Sequence, residues 1–209
     1  LVMLDESGKE VRNTMIWADQ RSSASIERIY EAVPQEEYQA VSLNALSTGF
    51  LVSSLVWVRD HEPKNYERIC KVMLPKDYIR FRMCGQMGTD MSDASSTGIF
   101  DTVNRQWAWE LIRRIGLEKS FFVPCHESAE LAGAVSRACA QETGLPEGIP
   151  VAYGGGDTMV QAVGNGMLHP GTAISNIGTA SQLVTISDSP VSDTEFRTNT
   201  FCHVDKKQW

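Results

Sequence analysis

The residues best suited by type and spacing to do chemistry are Gly154-Gly155-Gly156-Asp157, followed further on by Gly178-Thr179. Ile149 to Tyr153, just before the glycines, is an apolar run of strand length, and Met159, Val160 and Val163 after them recur at helical spacing. Glycines between a strand and a helix let a ligand or another backbone come close, and open α/β sheets bind their ligands at such strand ends. A carboxylate held there can orient and deprotonate a hydroxyl. Gly178-Thr179 separates two β-rich runs, Thr172 to Ile177 and Gln182 to Ile186. A hairpin turn of this kind offers backbone N–H groups and one hydroxyl to phosphate oxygens. Together, these groups are what phosphoryl transfer to a hydroxyl would use. The competing reading is structural: a tight glycine turn, with Asp157 as the N-cap of the next helix.

Two other phosphate-binding patterns fail. A dinucleotide fingerprint starting at Gly154 needs Gly or Ala where Met159 stands, and Gly8-Lys9 is followed by Glu10 rather than the Ser or Thr of a P-loop. The five cysteines (Cys70, Cys84, Cys125, Cys139, Cys202) and four histidines (His61, His126, His169, His203) have no metal-ligand spacing. Reduced thiols of a cytoplasmic protein are the expectation, and no metal site is proposed. The 26 acidic residues outnumber 19 scattered basic ones, for a net charge of −7, which argues against nucleic acid and for a small-molecule partner. No apolar run approaches the roughly 20 residues of a bilayer span. Nor do the first residues, Leu1-Val2-Met3-Leu4-Asp5-Glu6, have the basic-then-apolar order of a signal peptide.

The elements that must position these groups can be outlined. Val2 to Leu4 and Val11 to Trp17 flank the turn-like Asp5 to Lys9, which predicts a hairpin whose second strand runs into Trp17. A loop with Asp19 and Arg21 then leads into a helix marked by Ile26, Ile29, Tyr30 and Val33, with Ser22 or Ser23 as N-cap and Pro34 as its end. Phe50, Leu51, Ser54, Leu55 and Val58 outline a second helix. A third is predicted over Trp107 to Ile115 with Gly116 as C-cap; its Trp107 and Trp109 face opposite ways, so at least one belongs to the core. Ser136 to Thr143 forms another, closed by Gly144. From Ile149 a strand, a helix and a hairpin follow one another, placing an α/β domain boundary near Pro150.

Several segments, in order, resemble the FGGY family of carbohydrate kinases and its xylulokinase-like members. They are Ile16-Trp17-Ala18-Asp19-Gln20-Arg21; Ser47-Thr48-Gly49-Phe50 leading to Leu55-Val56-Trp57-Val58-Arg59; Leu74-Pro75-Lys76-Asp77-Tyr78-Ile79-Arg80; Thr89 to Ser95 with Phe100-Asp101; Thr143 to Val151; Gly154 to Asp157; and Gly178 to Ser181. The resemblance implies an actin-like, ribonuclease H-like α/β fold. Residues 1–150 would belong to the N-terminal, sugar-binding lobe and residues 151–209 would open the C-terminal one. It implies ATP with Mg2+ as phosphoryl donor and D-xylulose as acceptor, with another sugar or polyol (ribulose, glycerol), or a non-catalytic sugar-binding relative, as alternatives. Asp157 would be the general base, Gly178 and Thr179 a phosphate loop, and Trp17, Asp19 and Thr158 substrate-side residues.

Thr158 stands where xylulokinases usually have Asn, and Ser53-Ser54 where the family commonly has Pro-Lys. The family's Asp-x-Gly-Thr loop and adenine-binding part have no counterpart in these residues. The expectation is therefore a piece of a kinase, inactive alone, with exposed apolar surface that favours self-association. Trp17 is weighed as core against sugar platform, Asp19 as a partner of Arg21 against sugar contact, and Asp90 and Asp93 as helix caps.

Overall fold

The computed structural model describes residues 1–178 and 181–209. Strand β1 (Val2–Leu4) is apolar and buried along its whole length, so it needs cover on both faces. The turn after it forms as expected, with the Asp5 carboxylate accepting from the Ser7 and Lys9 amides. The hairpin does not continue beyond a single bridge between Leu4 and Glu10. Residues 11–17 form no strand; Val11 and Met15 turn into the core while Ile16 and Trp17 stay outside, so the apolar run is divided between interior and surface. The partner of β1 comes from much later in the chain.

Four helices precede that partner: α1 (Ser23–Ala32), α2 (Gln35–Ser42), α3 (Leu51–His61) and the short α4 (Pro63–Tyr66). Helix α1 stops because Val33 precedes Pro34 and is driven out of helical geometry, to φ −138 and ψ 113. Helix α2 has no counterpart in the sequence reading, since Tyr38 alone carries its large buried apolar surface. Helix α3 is enclosed: Val52, Leu55, Val56 and Val58 are fully buried, and the buried Ser53 satisfies its hydroxyl on the Ser47 carbonyl at 2.8 Å. β2 (Lys71–Met73) then pairs antiparallel with β1, placing Met73 opposite Val2.

Next come α5 (Pro75–Cys84), β3 (Thr89–Asp90), α6 (Met91–Ala94), β4 (Phe100–Asp101), β5 (Gln106–Trp107) and α7 (Trp109–Ile115). Trp107 belongs to β5 and not to the helix predicted from it. It pairs with Phe100 and donates its indole N–H to the Val123 carbonyl at 2.8 Å, which holds it in the core while Trp109 opens α7. Gly116 ends α7 in the left-handed conformation, as expected. The rest is β6 (Cys125–His126), β7 (Leu131–Ala134), α8 (Arg137–Thr143), β8 (Pro150–Ala152), α9 (Asp157–Gly164), β9 (Ala173–Ile177) and β10 (Ser181–Thr185).

β3 runs parallel to β6, while β4–β5, β7–β8 and β9–β10 are antiparallel pairs. Residue 150 lies inside β8, paired with Ala134. The main core gathers Met3, Ile29, Leu55, Phe100 and Ile112 around α3; a smaller one, Ala162, Met167 and Ile186, sits under α9. Residues 200–209 pack back on the main core, where Cys202 is fully buried and the Trp209 indole donates to the Thr102 carbonyl at 2.8 Å.

Candidate functional site

β8 delivers the chain to Tyr153, and the three glycines turn it into α9. Gly154 has φ +79, a conformation that a side chain would strain, and a Cβ on Gly155 would stand 3.0 Å from Val160 and 3.1 Å from the Ser92 hydroxyl. The glycines are therefore needed for close approach as well as for the turn. Gly156 is the N-cap residue and Asp157 the first residue of the helix, so the capping role weighed for Asp157 does not hold. The Asp157 side chain is exposed. Its Oδ1 accepts from the Thr158 amide at 2.7 Å, and its Oδ2 accepts no hydrogen bond among the described residues. A carboxylate at a helix N-terminus is favoured by the helix dipole. Thr158 lies beside it, and Gln182 on β10 donates to its hydroxyl at 3.4 Å. Gly178 is exposed just after β9, and Thr179 lies outside the described residues.

Beneath this turn is a charge cluster that the sequence reading missed. Lys76 Nζ, at the start of α5, lies 2.6 Å from Asp77 Oδ1, 2.9 Å from Asp90 Oδ1 and 3.6 Å from Asp93 Oδ2. Arg80, one turn along α5, pairs with Asp77 at 2.8 Å and donates to the carbonyls of Tyr153, at 3.1 Å, and Gly88. Its guanidinium lies 4.6 Å from the Tyr153 ring centre, and that ring stacks on His126 at 4.0 Å. Asp90 does cap α6, accepting from the Ser92 amide at 2.9 Å, but Asp93 faces Lys76 instead of capping. The available signal was the charge content of segments that otherwise pack against the core.

Burial opposes the charge on Lys76, yet the carboxylates of Asp77, Asp90 and Asp93 outweigh it and hold the ammonium above its ordinary value. Burial pushes Asp93 up to about 7; Lys76 pulls it down, while Asp77 and Asp90 add to the rise. An acid whose folded pKa is raised binds a proton in the folded state that the unfolded chain has already released. Its contribution to stability therefore falls as pH rises from about 4 to about 7. Asp93→Asn has no such titration. Thermal unfolding at pH 5 and pH 8 should show the melting-temperature difference between variant and parent shifting in the variant's favour at pH 8. The same difference at both pH values would show that Asp93 does not titrate in this way.

A second cluster surrounds Trp17. That side chain is 81% exposed, so its core reading is overturned. Asp19 pairs with Arg21 at 2.9 Å, and this contact holds the Asp19 carboxyl below the usual carboxylate range. Arg21 in turn lies 5.1 Å from the Trp57 ring centre. The loop is pinned to the start of α3: Thr48 donates to Gln20 Oε1 at 2.9 Å, Ser22 donates to the Thr48 carbonyl at 3.1 Å, and a Cβ on Gly49 would meet the Trp17 carbonyl oxygen at 2.7 Å. Ser22 thus spends its hydroxyl on the loop and not on capping α1. Trp17 and Asp19 form one group, Asp157 and Thr158 another, and among the described residues no hydrogen bond or ion pair joins the two.

Residues 1–164 match the N-terminal domain of the FGGY family of carbohydrate kinases. The chain belongs to that family. This FGGY chain is 32% identical over 207 residues to the xylulose kinase of Escherichia coli (strain K12), covering 99% of its own length and 42% of the relative's. The crystal structure of a "xyloylose kinase" from Brucella ovis superimposes on all of it, with a TM-score of 0.90 at 32% identity, and again 42% of that chain is covered. A xylulose kinase structure from Rhodospirillum rubrum gives a TM-score of 0.92 at 26% identity, covering 99% of this chain and 42% of the other. The fold is the actin-like α/β fold of sugar kinases, seen over the N-terminal lobe. No helix among the described residues is long and apolar enough to cross a membrane.

Proposed function

We propose that this chain is part of an ATP-dependent carbohydrate kinase that phosphorylates a hydroxyl of D-xylulose to give D-xylulose 5-phosphate. The observation that carries the reading is the Asp157 carboxylate, exposed at the first turn of α9 on a glycine turn packed closely against Ser92, in a chain of the FGGY family. Asp157 takes the proton of the sugar hydroxyl as that oxygen attacks the γ-phosphorus of ATP; the bond to the bridging oxygen breaks and ADP leaves. Gly178 and Thr179 would hold phosphate oxygens, and Mg2+ bound to the nucleotide would supply neutralisation of the phosphate charge. Trp17 covers the apolar face of the sugar, while Asp19 and Thr158 meet its hydroxyls. Residues 1–164, which match the N-terminal FGGY domain, belong to the sugar-binding lobe. Five free thiols suit a cytoplasmic setting.

A panel of acceptors tests the reading in the full-length protein by ATP-dependent ADP release. D-xylulose should be preferred over ribulose and glycerol by about tenfold or more in kcat/KM, the scale on which polar contacts discriminate. Equal rates would remove the xylulose assignment, and no ADP release with any sugar or polyol would remove the kinase.

A further inference from the structure

We propose that Ser92, clamped by Asp90, is a positioning residue for Asp157. This rests on the reading of Asp157 as the base. The Gly156 amide donates to Ser92 Oγ at 3.0 Å, across 64 positions of sequence, and Ser92 Oγ donates to Asp90 Oδ2 at 2.5 Å. The Ser92 amide, at 2.9 Å, and the Ser128 hydroxyl, at 2.7 Å, donate to the same oxygen, and Lys76 faces the other carboxylate oxygen at 2.9 Å. Asp90 is fully buried and Ser92 is 2% exposed, so water does not compete for these groups.

A serine hydroxyl has one proton. With that proton committed to Asp90, the Ser92 lone pairs are aimed at the turn, and the chain of bonds strengthens each member. The absent side chain of Gly155 lets Ser92 Oγ come this close to the turn, where a Cβ would stand 3.1 Å from it. The relay therefore fixes the residue directly before Asp157, and with it the direction from which the carboxylate is presented. Misplacing a reacting group by about 1 Å can cost on the order of a hundredfold in rate.

Two measurements test this. In the 209-residue chain, Ser92→Ala should raise hydrogen exchange of the Gly156 amide by about tenfold or more while amides within α5 keep their protection. In the full-length protein, Ser92→Ala and Asp90→Asn should lower kcat by about 10- to 100-fold with KM for the sugar within about threefold, and Ser92→Thr should restore most of kcat. Ser96→Ala removes a neighbouring hydroxyl that donates to the Asp93 carbonyl and should change neither readout. Unchanged exchange at Gly156, unchanged kcat, or a loss of protection spread over α5 would each overturn the proposal. Asp157→Ala is assayed in parallel. If it is inactive while Ser92→Ala exchanges normally, the positioning role fails and the base stands. If it is active while Gly156 exchange rises, the base assignment fails and the clamp remains only a structural one.

Discussion

On the proposed role of Asp157, replacing it by alanine in the full-length protein should lower kcat by about 10²- to 10⁴-fold, the contribution typical of a general base. The sugar KM should move little, because the carboxylate acts on a proton in the transition state and not on binding as a whole. The side chain is exposed and its one short hydrogen bond is local, from the Thr158 amide, so the fold should survive. Removing a carboxylate from a helix start costs roughly 0.3–1 kcal/mol, too little to explain a rate loss of that size. Asp157→Asn sharpens the test. The amide keeps shape and can still accept from Thr158, but it cannot take a proton, so it should be nearly as slow as alanine. Rates of ADP release at saturating ATP decide the matter, and parental turnover in either variant would remove Asp157 from the reaction.

Arg80→Ala should destabilise the chain by about 3–5 kcal/mol, the range for breaking one partner out of a buried ion pair. Arg80 is 4% exposed and Asp77 is fully buried, so solvent does not screen the loss. The substitution leaves the Tyr153 and Gly88 carbonyls without their donor and strips the cation from the Tyr153 ring. For a chain of this size that corresponds to a fall in melting temperature of roughly 10 °C. Arg80→Lys should recover only part of it, since a single ammonium cannot reproduce the planar fork that serves several acceptors at once. A fall equivalent to under about 1 kcal/mol would mean that the cluster contributes little to holding Tyr153 and the turn after it.

Elements with a local signature were legible in the sequence. Val33 before Pro34, Gly116 and Gly144 mark helix ends that are present in the fold, and the strand–glycines–helix order around Asp157 is there as read. Elements whose partners lie far away were not. Val11 to Trp17 has strand composition but no strand, because β1 takes Lys71–Met73 as its partner and Val11 and Met15 are drawn inward. Helix α2 buries chiefly Tyr38 amid Gln and Glu, too thin a stripe to register as periodicity. The charge cluster was hidden for the same reason: Lys76, Arg80, Asp90 and Asp93 each look like a cap or a solvated charge locally, and only the packing of α5, β3 and α6 on the glycine turn brings them together.

The return of residues 200–209 to the core bears on the order in which the molecule can be assembled. The Cys202 amide donates to Ser95 Oγ at 3.0 Å, and Ser95 donates to the Ser92 carbonyl at 2.6 Å, so the short helix that supports the glycine turn is itself braced from more than a hundred positions downstream. Contacts of such sequence separation close late, after the loop entropy between them has been overcome. During synthesis, α6 leaves the ribosome long before its brace does. The support beneath Asp157 is consequently among the last parts of this chain to become rigid.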